Sequence, residues 1–599
     1  MGEDPPSAAL TQRLRRWLDH PTSRDPAAWF DGSLIAFISD RSGLPQVWTS
    51  GLHGGQPLVL HPTSERVGRV QPSPFGPRAI VATDVGGDER WALTLWTASS
   101  SGSGIEARSL TSETSRIHQP GAWRDDHHYV FTANLRDVRF FDVYDLNVDA
   151  GAPASPIVQE DALLVVPDAR GERLVVLRHR TNLDCDLLLW DRGRVHPLNP
   201  HDGEETIFDA TLGKDAVYAA ANPDRELTAV VRYRTGASPE TLQGFPGDVE
   251  MVRSDSAGTR LFVSVNDRGW SRVYVYDLER STLLPFPTLP NGVTDGASWL
   301  PGGHRFVVGV SASRLGHELY LVDTLTSTAR PITSSPVPLP ARSPEPVLRQ
   351  FVAVDELEIP YWVHSPSAAS RGTLVLVHGG PEAQARPRFD PMVEFLVAEG
   401  YTVVEPNVRG SLGYGRRYVH LDDVRQRMDP VRDVRDLVHA LRRSGIPGTA
   451  TPSHLGIIGG SYGGFMVLST LTTYPELFHA AVDIVGIANF VTFLERTAPW
   501  RRKVREAEYG SLEHDREFLE SISPIHQVDR IQAPLLVVHG ENDPRVPVSE
   551  AEQIVKALEA RNVPVEFLRF GDEGHGLVRR ENQIVALTHA AKFFDRYVG

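Results

Sequence analysis

Between about residues 30 and 335 the chain repeats one pattern of apolar and polar positions. A turn of Gly, Asp, Ser or Pro leads into a short β-rich run, a polar turn, and a second run of Val, Leu, Tyr and Trp. Alternation of this kind predicts strand-turn-strand units. The clearest copies begin at Asp31, Asp168, Ser256 and Pro301, and weaker ones near Pro74, Gly121 and Ala210. Seven copies at an interval of roughly 40 residues predict a seven-bladed β-propeller, because a four-stranded blade buries its two apolar faces only against its neighbours.

The grammar changes after PITSSPVPLPARSPEP, Pro331 to Pro346, a Pro- and Ser-rich stretch that reads as a linker. Beyond it, apolar strands alternate with helical patterns: TLVLVHGG, PMVEFLVAEG, YTVVEPNVRG, VRDVRDLVHALRRSG, LGIIGGS. This is the order of a doubly wound, mostly parallel α/β sheet. Ahead of the first blade, SAALTQRLRRWLDH spaces leucines and a tryptophan at helical intervals. Three segments are therefore expected: a helical 1–29 packed on the second domain, a propeller over 30–335, and an α/β domain over 336–599.

Charge and composition narrow the partners. In 599 residues, 61 Lys and Arg stand against 76 Asp and Glu, a net charge of -15, which argues against nucleic acid. The N-terminal stretch lacks an apolar core of signal-peptide length, and no run reaches the roughly 20 apolar residues that cross a bilayer. A cytoplasmic protein with no membrane contact is expected. The single cysteine, Cys185, sits in a strand-like LDCDLLLW and excludes both a disulfide framework and a thiolate metal cluster.

The chemistry concentrates in the second half. Gly459-Gly460-Ser461-Tyr462-Gly463 matches G-x-S-x-G between an apolar strand and an apolar helix, the setting of a nucleophile elbow. Alone, such a match is an ordinary glycine-serine turn; its weight comes from an acid and a base placed downstream in the expected order. Asp543 comes just after the strand APLLVVHG, and His575 lies in the glycine-flanked loop after VPVEFLRF. The chain order Ser461, Asp543, His575 is that of an α/β-hydrolase triad, with His575 as general base and Asp543 as its orienting carboxylate. Glu541, Asp572 and Glu573 are rival carboxylates on the same loops. Gly380, in His378-Gly379-Gly380-Pro381, and the N–H of Tyr462 are candidate oxyanion donors. No metal or organic cofactor is required by this mechanism, and no ligand cluster points to one.

These motifs, with NVRGSLGYGRRY from Asn407, HGENDPRVP from His539 and GDEGHG from Gly571, resemble the prolyl oligopeptidase family of serine peptidases over nearly the whole chain. The HGGP and GGSYGGFM pair and VGGDERW at 85–91 are most similar to its acylaminoacyl-peptidase and dipeptidyl-aminopeptidase-like branch. The resemblance implies hydrolysis of short peptides or of aminoacyl or acylaminoacyl amides, with the propeller limiting substrate size, and oligomerisation is common in the family. It leaves open an esterase, a thioesterase or an aminoacyl-antibiotic amide hydrolase using the same triad, and an inactive binding scaffold. No paired-glutamate element of dipeptidyl peptidases is evident, and the chain is compact for the family. Candidate substrate contacts are Glu89, for an ammonium; Arg409 and Arg416, for a carboxylate or carbonyl; and Phe465, Phe490, Phe493 and Trp500, for an apolar pocket. A solvated turn, structural ion pairs and core packing explain the same residues.

Overall fold

The computed structural model describes residues 8–99, 104–111, 114–150, 154–242, 244–335, 339–340, 344–446 and 449–599. Parts of the expected helical segment (1–7) and of the linker (336–338, 341–343) lie outside them.

Seven four-stranded antiparallel sheets span 24–59, 67–109, 118–158, 163–197, 207–241, 248–283 and 293–331. The period-two alternation explains the ring. In the second blade Ala79 and Val81 point into the core shared with blade one, while Ile80 and Ala82 point into the core shared with blade three. One such cluster fills each interface around the ring, and the last joins Ile35 and Phe37 of blade one to Leu300, Val307 and Leu319 of blade seven. Every sheet uses only consecutive strands, so side-chain packing closes the ring without a shared strand.

The repeat read from the sequence starts after the first strand in four of the seven blades, at Asp31, Pro74, Ser256 and Pro301, and partway along it in the other three. Asp31 falls between the first two strands of blade one, Arg24–Ala28 and Leu34–Ser39, so that blade begins ahead of residue 30. The physical reason recurs in all seven blades: the pairing of first and second strands carries a register shift, as between Val67 and Arg69 or Thr294 and Ala297. A bulge breaks the alternation that marks a strand.

The C-terminal domain is built on an eight-stranded sheet: β1 (Val347–Val352), β2 (Glu358–His364), β3 (Gly372–Val377), β4 (Tyr401–Pro406), β5 (Leu455–Gly460), β6 (Ala480–Ile484), β7 (Leu535–Gly540) and β8 (Val565–Phe570). Its order is 1-2-4-3-5-6-7-8, parallel from β4 onward along that order, with one large apolar cluster on each face. The N-terminal helix α1 (Ala8–Leu18) buries Leu10, Leu14, Trp17 and Leu18 against Phe389, Phe395, Ile584 and Ala591 of this domain. Cys185 is buried in blade four, where desolvation pushes its thiol pKa well up. Among the described residues no helix is long and apolar enough to cross a membrane.

Candidate active site

Strand β5 is buried along most of its length and stops at Ser461, directly before helix α2 (Tyr462–Thr473). Ser461 has φ 59° and ψ -119°, a region that L-residues hold only where the surroundings over-determine it. Those surroundings are backbone. The Ser461 N–H donates to Ile484 O at 2.8 Å, and its carbonyl accepts from the N–H groups of Gly464 and Phe465 at 2.9 and 3.1 Å. A Cβ on Gly459 would lie 2.2 Å from Gly463 O, and one on Gly463 would lie 2.1 Å from Val377 O. Strands β3 and β5 and helix α2 therefore meet at distances only glycine allows. The hydroxyl is left at the carboxyl edge of the sheet, beside the unpaired N–H groups and positive end of α2.

Parallel strands β7 and β8 deliver the loops carrying Asp543 and His575 to the same edge. His575 Nδ1 lies 2.7 Å from Asp543 Oδ2, and Oδ1 accepts the N–H groups of Arg545 and Val546 at 2.8 and 3.0 Å. The Asp543 side chain is wholly buried. Burial would raise its pKa, but attraction to His575 and the hydrogen bonds it accepts outweigh that and hold the carboxyl below its ordinary value. An ionised acceptor at Nδ1 puts the imidazole proton there and leaves Nε2 free to accept. Among the described residues the His575 ring hydrogen-bonds Asp543 and makes no bond to Ser461 Oγ; in free hydrolases this bond is often long and tightens on substrate.

The rival carboxylates are engaged elsewhere. Glu541 accepts from Arg569 Nε at 2.5 Å, Asp572 from Asn582 Nδ2 at 3.0 Å, and Glu573 from the N–H groups of Val578 and Arg579. A residue not singled out from sequence, His539, lies 3.7 Å from Asp543 Oδ2; burial lowers its pKa, and Nε2 is tied to Val546 O at 2.9 Å.

After β3 the loop His378–Pro381 passes over the elbow. A Cβ on Gly379 would touch Gly460 O at 3.0 Å and Ser461 Cβ at 3.4 Å. His378 anchors the loop through Gly379 O (2.7 Å) and Ser411 Oγ (2.9 Å). The Gly380 carbonyl is turned to Arg505 Nη1 and Tyr509 Oη at 3.4 and 3.5 Å. Tyr462 is buried, and its N–H heads the first turn of α2.

The other expected contacts divide. Phe465, Phe490 and Phe493 lie in the core as a ring stack with Tyr509, with centroids 4.8 Å apart for Phe465–Phe490 and 4.9 Å for Phe490–Tyr509. Trp500 instead lines a cavity of about 480 Å³ between the domains, with Trp91, Phe141 and Pro120 of the propeller. Arg409 is 5% exposed and saturated by Asp433 and Asp355. Arg416 reaches the propeller instead, donating to Glu204 O and Asn222 O at 2.7 and 3.0 Å. Glu89 accepts from Arg545 Nε at 2.8 Å, two residues beyond Asp543. The same propeller loop abuts the histidine loop: a Cβ on Gly87 would lie 2.4 Å from Gly574 N, and Asn542 Nδ2 donates to Gly86 O at 3.0 Å. Asp422, Asp423 and Glu508 have ligand spacing for a cation, but the buried guanidinium of Arg427 already bridges Asp422 and Glu508.

A glycine-braced serine elbow and a buried Asp–His pair on one edge of a 1-2-4-3-5-6-7-8 sheet, under a seven-bladed ring, define a propeller-capped α/β-hydrolase fold. The sequence matches the model of the prolyl oligopeptidase family over residues 387–599, most of the C-terminal domain. The chain is 35% identical over 239 residues to dipeptidyl peptidase family member 6 of Caenorhabditis elegans, covering 39% of this chain and 32% of that protein. It thus spans about a third of that relative's length. The uncharacterized peptidase YuxL of Bacillus subtilis (strain 168) is 25% identical, with 96% of this chain and 90% of that one aligned. A solved puromycin hydrolase superposes with a TM-score of 0.84 at 20% identity, covering 99% of this chain and 96% of that one, a likeness of fold.

Proposed function

We propose that the protein is a serine peptidase that hydrolyses short peptides or aminoacyl amides through an acyl-enzyme on Ser461. The observation that carries this is the Asp543–His575 pair, with Nδ1 and Oδ2 2.7 Å apart, at the sheet edge where Ser461 is held out of ordinary backbone geometry. Ser461 Oγ attacks the amide carbon as its proton passes to His575 Nε2. The N–H groups of Gly380 and Tyr462 receive the developing oxyanion. Collapse breaks the C–N bond, with His575 returning the proton to the leaving amine; water then repeats the sequence to free the acid. In this reading the propeller over the sheet edge limits substrates to short chains and keeps folded proteins from the serine. Names among the relatives, including acylamino-acid-releasing enzymes, support an exo- or oligopeptidase.

A fluorophosphonate probe followed by peptide mapping is expected to modify Ser461, and an aminoacyl anilide to turn over alongside its matched ester. Turnover of the ester alone would reject amide hydrolysis in favour of an esterase. Absence of labelling in folded protein would reject both.

A further inference from the structure

Helix α3 (Pro499–Tyr509) follows the Phe490–Arg496 helix and places Arg501 and Arg505 one turn apart. Arg505 is paired, with Nη1 3.3 Å from Glu382 Oε2. Arg501 is not: among the described residues its guanidinium has no hydrogen bond or ion pair, although Nε is shielded from solvent. Its aromatic contact is the neighbouring Trp500 ring, 5.1 Å from the guanidinium carbon.

The surroundings of Arg501 disfavour a cation. Burial, and then the charges of Arg505 and Arg545, push its pKa down to about 9. Glu89, the carboxylate within reach, is already held by Arg545 Nε at 2.8 and 3.0 Å. Arg501 also stands in the first turn of α3, where the helix dipole opposes positive charge. A shielded cation without a counter-ion is costly in a folded chain unless a ligand supplies the anion.

Its position fits that role. Ala498 N–H donates to Pro544 O at 3.1 Å and Thr497 Oγ1 to Arg545 O at 2.8 Å, so the start of α3 is fastened to the Asp543 loop. Trp500 lines the interdomain cavity, whose lining contains no Asp or Glu; its one arginine is Arg69 of blade two, exposed and without an ion pair among the described residues.

We propose that Arg501, next to the Trp500 wall of the cavity, forms a subsite for a substrate carboxylate, either the C-terminal α-carboxylate of a short peptide or an acidic side chain. The proposal rests on the reading of Ser461 as a peptidase nucleophile. The test uses the full chain and three matched peptides: a free C-terminal acid, its C-terminal amide, and the amide with an internal Glu replacing Gln. Wild type is expected to favour a carboxylate-bearing peptide by about tenfold or more in KM, and Arg501→Gln to lose that preference while Arg501→Lys keeps part of it. The peptide that gains identifies which carboxylate is bound. Calorimetric binding of the same peptides to Ser461→Ala, with and without Arg501→Gln, reads the subsite without turnover. Equal affinity for all three peptides, or a preference that Arg501→Gln leaves intact, overturns the subsite. Failure of hydrolysis with the binding preference intact overturns only the peptidase reading.

Discussion

The two domains place their backbone irregularities differently. The pairings of the hydrolase sheet run without a register shift, and its non-glycine residues of positive φ, Ser461 at 59° and Val485 at 48° among them, lie between the strands rather than in them. In the propeller each blade carries a shift in the pairing of its first two strands. Bulges raise local twist, which helps seven sheets fit side by side in a ring, and no single position has to be exact. Catalysis by positioning demands the opposite, because a displacement of about 1 Å can cost on the order of a hundredfold in rate. A regular sheet leaves its deviations to the turns at its edges, where Ser461 sits.

The first test of this contrast is removal of the reacting groups. Ser461→Ala is expected to lower kcat on the order of 10⁶-fold and Asp543→Asn on the order of 10⁴-fold, with melting curves that still report folded protein. Asn at 543 can present its amide to His575 and favour the other tautomer, so the base loses its direction while the packing remains. Asp543→Asn activity within about tenfold of wild type would point to another carboxylate as the orienting group and would remove His575–Asp543 from the proposed site.

Much of this edge was legible from the sequence, and the reason is local. An apolar run, a G-x-S-x-G turn and an apolar helix are consecutive residues, and Asp543 and His575 each follow a strand within five residues of its end. Seven blades were also legible, because the second and third strands of each keep a clean alternation. The first strands were less so: HQPGAW, at His118–Trp123, has its register broken at Val130/Phe131 of its partner strand, and the copy read from Gly121 starts partway along it. Substrate contacts were the least legible. Phe465 and Trp500 are both aromatic residues near the nucleophile in sequence or structure, and only packing from Phe490 and Tyr509 assigns one to the core and leaves the other at the cavity. Arg545 lies within the HGENDPRVP motif, but nothing local to that motif points to its partner, Glu89 of the propeller, 456 residues away. Arg501 and Arg505 do carry a signal, two arginines spaced one turn apart on a helix, but spacing alone does not show which of them lacks a counter-ion.

A second test asks whether the two domains are as independent as their irregularities imply. Gly87 has φ 82°, and a Cβ there would meet Gly574 N at 2.4 Å, next to His575. Gly87→Ala is expected to push the propeller loop and the histidine loop apart and to reduce kcat about tenfold with KM less affected. Fluorophosphonate labelling of Ser461 should slow in parallel, since the base is displaced. Unchanged labelling and turnover would mean that the propeller only covers the site, and the contact at Gly574 would have no part in aligning His575.

The last expected effect, on stability and not on rate, lies beneath the elbow. Asp483 on β6 pairs with Gly459, and a Cβ on Gly464 would lie 2.3 Å from its Oδ1, so the carboxyl fills the space under the first turn of α2. Burial pushes its pKa up to about 7, against the help of the Gly486 N–H. In the unfolded chain the same group loses its proton near pH 4. Between these values the folded state binds more protons than the unfolded one, so this residue's contribution to stability is full below about pH 4 and is lost as pH rises to about 7. The slope is worth at most about 4 kcal/mol, at about 1.4 kcal/mol per pH unit. Asp483→Asn removes it, and the variant should lose less of its melting temperature than wild type between pH 5 and pH 8. Parallel pH profiles for the two proteins would show that the carboxyl ionises at its ordinary pH, and that the strained turn above it rests on a charged group.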